Sequence, residues 1–561
     1  MLRILITAII SASLYADIIT VSTTPEWKAL LLINDNNKTE IDDQSFYLSK
    51  LPIDPIVELN ATIQNISCEN ICRFPARYTY LAKQLDINIS YAHCKNLNDF
   101  LERANGDSAH LIFASSFIES PVSYFGHTFI KLNKPSNPMF SWTLGYAAEL
   151  ENTKFTALAK DTLQGNLRGV FIAEPFFKLY EEYVVKEQRT LHEYPMNLNE
   201  EEIKKMLLHF YELGKIKSDY DFFKKNCAYW VYSLINSARS STIKEKLSFP
   251  VLPKDSNQIL TKSGFLTNTD ENIHIRSADK LYMAYRNLTK DDKAAITNIL
   301  NSDDKKQKIN NTPLNDPDSV KFIVDGAYDI LFKKYNYYKS DHSEIKTIRY
   351  VEPRLNDKFN KNLDNGSSKL EIAKAISNNI YFASFQPILL DRISDKTSEI
   401  SEASLGIAGL KFKQNKKLEL DELDIINIES LNTKLPFYNP PSWMFDVGLD
   451  KELKTSSLEI NIGGGIGKTF SILDSKFYIL PHLNIHPLKT SIAFELVYGI
   501  SYWLGDKTHI GFDAKTNIGY INKNTKDTQK IYLLHNINNN YFLKLHTREH
   551  EGVLISVGGK F

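Results

Sequence analysis

From about Lys369 to Phe561 apolar and polar residues alternate in short runs, and that period of two restricts the C-terminal third of the chain to β-strands. The runs are 401–413, 442–453, 457–470, 476–487, 491–503, 509–521, 531–536, 541–547 and 553–561. Glycines and Asx residues separate them, as turns require. The last run is the cleanest, with Val553, Ile555, Val557 and the aromatic Phe561 on one face. Weaker runs near Leu370, Ile380 and Leu418 bring the count to about twelve. An even number of antiparallel strands suits a closed outer-membrane barrel, apolar outside and polar inside. A soluble sandwich or barrel is the alternative, because alternation by itself is a weak signal.

The N-terminus bears on that choice. Met1-Leu2-Arg3 precedes an almost wholly apolar stretch at 4–15, and Ala16 stands before Asp17. This is the order of a secretory signal: a basic start, an apolar centre and a small residue at the cleavage point. The apolar centre is too short to span a bilayer as a helix, which needs ~20 residues. Export and the terminal strand together favour the membrane barrel. Lysine plus arginine equals aspartate plus glutamate at 67 each, so no bulk field draws the chain to nucleic acid. Gly463-Gly464-Gly465-Ile466-Gly467-Lys468-Thr469 imitates a phosphate loop, but Ile462 occupies the position of the required first glycine. The segment also alternates as a strand, so no nucleotide partner is expected.

At 561 residues the chain exceeds one ordinary core. Between the signal and the barrel the pattern is mixed α+β, with strands expected at 111–114, 126–132 and 140–146 and helices at 200–214 and 227–240. On the first of these helices Ile203, Met206, Leu207, Phe210 and Leu213 form the core stripe, which leaves His209 for the surface. Of four cysteines, Cys68, Cys72 and Cys94 lie close together in sequence. In an oxidising compartment two of them should pair; Cys72 with Cys94 closes a reasonable loop, and Cys68 with Cys72 would close a tight ring. The rival is a zinc site of Cys68, Cys72, His93 and Cys94, but the spacing lacks a paired CxxC, so no metal is expected.

Cys227 stands apart. Trp230, Val231, Leu234, Ile235 and Ala238 recur at helical spacing behind it and make Asn226 a natural N-cap. A thiol at a helix start meets unpaired N–H groups and the positive end of the dipole, which favour thiolate, the attacking species. One hundred residues earlier, His127 sits in the alternating run Tyr124-Phe125-Gly126-His127-Thr128-Phe129-Ile130-Lys131-Leu132. An inert buried cysteine and a structural histidine are the plainer alternatives for each residue alone.

The stretches Cys72-Arg73-Phe74-Pro75-Ala76-Arg77-Tyr78, Ser120-Pro121-Val122-Ser123-Tyr124-Phe125-Gly126-His127-Thr128-Phe129, Tyr146-Ala147-Ala148 and Asp221-Phe222-Phe223-Lys224-Lys225-Asn226-Cys227 resemble the Lnb N-terminal periplasmic domain family. The resemblance runs from about Cys72 to about Leu266. It implies a papain-like fold in permuted order, with Cys227 as nucleophile, His127 as base and lipoprotein N-acyl transfer through a thioester, for which no cofactor is needed. The imidazole needs an orienting group, and the run 140–146 offers Ser141 and Thr143, or a backbone carbonyl. Residues 164–171 form a loose version of the glycine-rich loop of that family. Arg77 and Tyr124 are candidates for a lipid headgroup, against the plainer expectation that they brace the fold.

The expected division is therefore a signal peptide at 1–16, a helical N-terminal domain at 17–105, a permuted papain-like catalytic domain at 106–270, a helical connector at 271–345 and an outer-membrane-type barrel at 346–561. The leading function is a cysteine-dependent acyltransferase acting on phospholipid or lipoprotein at the periplasmic face of the outer membrane. An NlpC-like cell-wall amidase or endopeptidase is one alternative, and a non-catalytic barrel with a periplasmic binding domain is the other.

Overall fold

The computed structural model describes residues 18–34, 38–86, 88–116, 125–149, 167–239, 243, 247, 249–266, 272–302, 312–336, 366–395, 398–451, 458–472, 475–522 and 525–561. The expected signal peptide at 1–16 and Tyr124 lie outside them. The chain divides into two compact units, one of residues up to Glu182 with Leu191–His274, the other of Tyr183–Thr190 with Ile275–Phe561. The helical segment expected as a separate domain at 17–105 thus belongs to the same unit as the α+β core.

Among the described residues of the first unit, helices that precede the sheet include α1 (Pro25–Leu30), α2 (Pro55–Gln64), α3 (Cys68–Arg73), α4 (Pro75–Leu85) and α5 (Lys95–Arg103). Their starts follow from local chemistry. Proline, which has no N–H to lose, opens α1, α2 and α4, and the side chains of Thr24, Asp54 and Ser67 cap α1, α2 and α3. A Cys72–Cys94 disulfide ties α3 to the residue before α5, and Cys68 is free and exposed. With both sulfurs of that pair consumed, the zinc alternative loses two of its four ligands.

The sheet of this unit has seven strands: β1 (Ser108–Ala114), β2 (His127–Asn133), β3 (Trp142–Glu149), β4 (Leu167–Pro175), β5 (Leu191–Pro195), β6 (Lys217–Tyr220) and β7 (Asn272–His274). Their order is β6-β4-β3-β2-β1-β5-β7, and every pairing is antiparallel. From Leu167 onward the expected glycine-rich loop is strand β4, hydrogen-bonded on both edges. Two longer helices follow, α6 (Glu200–Leu213) and α7 (Cys227–Ala238). Asn199 and Glu202 close a capping box on α6. His209 is fully buried, contrary to expectation, because the N-terminal helices cover the outer side of α6: its ring lies 6.5 Å from that of Phe46.

In the second unit, helices Ser277–Arg286, Lys290–Leu300 and Pro317–Asn336 share an apolar core with Ile400, Leu435 and Phe437, so the connector packs with the barrel turns. The barrel strands are β8 (Lys369–Ala375), β9 (Tyr381–Gln386 continued by Ile388–Leu390), β10 (Ser401–Gln414), β11 (Leu418–Asn432), β12 (Ser442–Asp450), β13 (Glu459–Ile472), β14 (Ser475–His486), β15 (Ser491–Leu504), β16 (Thr508–Ile521), β17 (Thr528–Asn536), β18 (Tyr541–Arg548) and β19 (Gly552–Lys560). Each pairs with the next, β19 pairs with β8, and β9 joins β8 to β10, so the twelve strands close without an edge. Along β18 and β19, Tyr541, Leu543, Leu545, Val553, Ile555 and Val557 face outward and exposed, while Phe542, Lys544, Leu554 and Ser556 face inward. Apolar outside and charged inside is the inverse of a soluble barrel, and it is what a lipid surround selects. The phosphate-loop imitation lies inside β13, where a Cβ on Gly467 would stand 2.1 Å from the Ile479 carbonyl. Glycine there permits close strand approach.

Candidate functional site

Cys227 is the first residue of α7 and is 1% exposed. Asn226 holds the helix start from both sides of its carboxamide. The oxygen accepts from the Ala228 and Tyr229 N–H groups (3.1 and 3.3 Å), and Nδ2 donates to the Phe222 and Val251 carbonyls (2.9 and 2.6 Å). Its four bonds make Asn226 a structural cap, and they occupy two of the first-turn N–H groups that an oxyanion could otherwise use.

His127 opens β2, directly after Gly126 at φ +87. A Cβ on Gly126 would lie 2.4 Å from the Phe113 ring and 2.6 Å from the Ala114 carbonyl, so only glycine brings the chain into the strand this way. The segments before the two candidate residues meet. Phe125 packs on Phe222 with ring centroids 5.8 Å apart, and Phe125, Gly126, Phe222 and Asn226 line one small cavity with Tyr220 and Pro253. Helix α7 also packs against β2 and β3.

Face assignment qualifies that meeting. The His127 ring lies 6.0 Å from Phe129, on the same side of β2, as the alternation predicts. Trp230 of α7 packs on Tyr146 and Phe171 (5.4 and 5.1 Å). Since Ile130 pairs with Leu144 and Tyr146 with Phe171, those two rings belong to the face of Ile130, opposite that of Phe129. Trp230 thus packs on the sheet face opposite the one that carries His127 and Phe129.

The hydroxyls expected to orient His127 have other partners. The Lys134 N–H donates to Ser141 Oγ (3.0 Å), and Thr143 Oγ1 donates to the Glu174 carbonyl (2.7 Å). Arg77 is a brace without an exposed surface for a headgroup: it pairs with Glu58 (3.0 Å) and Glu212 (3.3 Å), donates to the Phe46 carbonyl, and lies between the rings of Phe46 and Phe74. Tyr146 lies 2.8 Å from Ser218 Oγ, and burial pushes its phenol up to about 12, so it serves as a hydrogen-bonding group and not as a base.

One polar cluster escaped the sequence reading. Glu193 on β5 meets His110 (2.6 Å), Lys131 (2.8 Å) and His274 (2.8 Å). Burial alone would raise its pKa, yet the hydrogen bonds from both histidines and the Lys131 ammonium outweigh it and hold the carboxyl far below the usual range. His110 and Lys131 are directly paired across β1 and β2, so the cluster follows from strand register, which single-strand patterns do not reveal.

A closed barrel with an apolar exterior and charged interior, joined to an α+β unit carrying a capped cysteine helix, defines an outer-membrane protein with a periplasmic domain. Residues 96–263 match the family model described as the Lnb N-terminal periplasmic domain. Residues 20–84 and 398–541 match two further models, each described as a domain of unknown function (DUF7843 and DUF7840). Among solved structures the chain is similar to the NanC porin in a rhombohedral crystal form, with 5% identity, 35% of this chain and 98% of that chain covered, and a TM-score of 0.22. No curated protein matches.

Proposed function

We propose that the chain is a thiol-dependent acyltransferase of the periplasmic face of the outer membrane. The observation that carries the reading is the position of Cys227 at the first turn of a capped helix that packs against the strand of His127. His127 takes the thiol proton, and the sulfur attacks the carbonyl of a phospholipid or lipoprotein acyl ester. The C–O bond breaks, the leaving alcohol receives the proton back, and the acyl group remains as a thioester. An amine then attacks the thioester, forming an amide, and the thiol is restored with its proton. The positive end of the α7 dipole favours charge on the sulfur and on the tetrahedral oxygen. A membrane barrel in the same chain ties this chemistry to the outer membrane, whose lipids would supply the donor.

The near-complete burial of Cys227 favours a second reading, in which the unit binds a ligand without turnover. The wild-type protein and Cys227→Ala, reconstituted with phospholipid and an amine-bearing lipopeptide, separate the two. The acyltransferase reading expects acylated lipopeptide and at least a thousand-fold loss in the variant; equal product from both proteins rejects it. Release of stem peptides from cell-wall fragments would instead make the unit an amidase.

A further inference from the structure

The first turn after β9 does not project from the barrel mouth. Residues 391–395 fold into a tight turn, in which the Asp395 N–H donates to the Asp391 carbonyl (2.8 Å) and the Ile393 N–H to Asp391 Oδ1 (3.1 Å). Asp391, Arg392, Ser394 and Asp395 are all buried. Their partners are inward-facing residues from strands all round the ring. Arg392 donates to Glu429 of β11 (2.6 Å) and Asp513 of β16 (3.1 Å) and lies 3.6 Å from Glu402 of β10. In the ring order β10 and β16 stand six positions apart among twelve, so one guanidinium bridges opposite walls of the lumen. Lys369 of β8 pairs with Asp391 (3.1 Å), and Lys560 of β19 pairs with Asp395.

The backbone of the turn is satisfied in the same way. The Ile393 carbonyl lies 3.0 Å from His509 Nδ1, and Asn536 Nδ2 donates to the Ser394 carbonyl (3.1 Å). Buried peptide that lacked such partners would be costly. A barrel of this strand number encloses more space than its own side chains fill, and what remains beyond the turn is a chamber of about 800 Å³. It runs from Lys369 and Glu429 beside the turn to His550 and Glu551 at the far turns. Its lining mixes acids and bases, so no field of one sign draws a single class of ion through it.

We infer that residues 391–395 plug the barrel lumen at the end where Lys369 and Lys560 begin and finish the strand ring, making the barrel a sealed anchor and not a diffusion channel. Arg392 is the positioning residue of the plug. Removing it leaves Glu402, Glu429 and Asp513 facing one another without their shared cation.

The test is conductance of the full chain in planar lipid bilayers. The wild type is expected to be silent, and the Arg392→Ala/Asp395→Ala variant, once heat-modifiable gel migration shows a folded barrel, is expected to give discrete conductance steps. Steps in the wild type, or a folded but silent variant, would overturn the inference. If the variant does not fold, hydrogen exchange on the wild type decides. Amides of residues 393 and 395 exchanging as slowly as neighbouring strand amides support the plug; exchange as fast as that of the 415–417 turn refutes it.

Discussion

Lys131, buried, and Lys544, half-buried, each meet one glutamate, at 2.8 Å from Glu193 and 2.9 Å from Glu371, yet they belong to opposite regimes. Beside Lys131 lies the buried Phe176 ring, 4.5 Å from the ammonium, and a charge there is the exception that needs a dedicated partner. Around Lys544 charge is the rule, and it is the apolar residues Leu543 and Leu545 that face out. The hydrophobic effect acts on both units in the same sense. What differs is where the apolar solvent lies, inside the first unit and outside the second.

The largest effect expected from breaking this contrast is in the first unit. Arg77→Ala would strand the Glu58 and Glu212 carboxylates in a dry core and cost roughly 3–5 kcal/mol, read as a fall in the unfolding midpoint of that unit. A smaller loss, about 2–4 kcal/mol at mid-bilayer depth, is expected for Ile555→Arg on the outer wall of the barrel. Refolding into detergent micelles measures it, and an unchanged midpoint would mean that this wall does not face lipid.

The mildest test uses acid. Glu193 has a carboxyl held below its unfolded value of about 4.5, so it contributes stability above that pH, and the contribution is lost as pH falls through and below it. Melting of the first unit between pH 6 and 3 should therefore steepen in the wild type and flatten in Glu193→Gln.

These same contrasts decided what the sequence could reveal. A strand with lipid on one side and a charged lumen on the other must alternate, so all twelve barrel runs were visible, including the weak ones near Leu370, Ile380 and Leu418. In sequence β4 resembles a glycine-rich loop because Gly165, Asn166 and Gly169 imitate one; its identity comes from pairing with β3 and β6. Strands β5 and β7 are short and carry His192, Glu193 and His274, whose burial depends on neighbours distant in sequence. At the site, the Asn226 cap was legible because capping is local. The partners of Ser141 and Thr143 were not, since one hydroxyl is fixed by the turn at Lys134 and the other by the β3–β4 register. The 391–395 plug likewise reads as an ordinary turn until the ring of strands around it is known.

The claim on which the functional account depends is that the sulfur of Cys227 carries an acyl group. Intact-mass measurement of the full-length protein after incubation with phospholipid vesicles, in the absence of any amine acceptor, tests it directly. The account predicts one added acyl mass, released by neutral hydroxylamine and absent from Cys227→Ala. A wild-type mass that stays unmodified, or an adduct that survives in the variant, would contradict it.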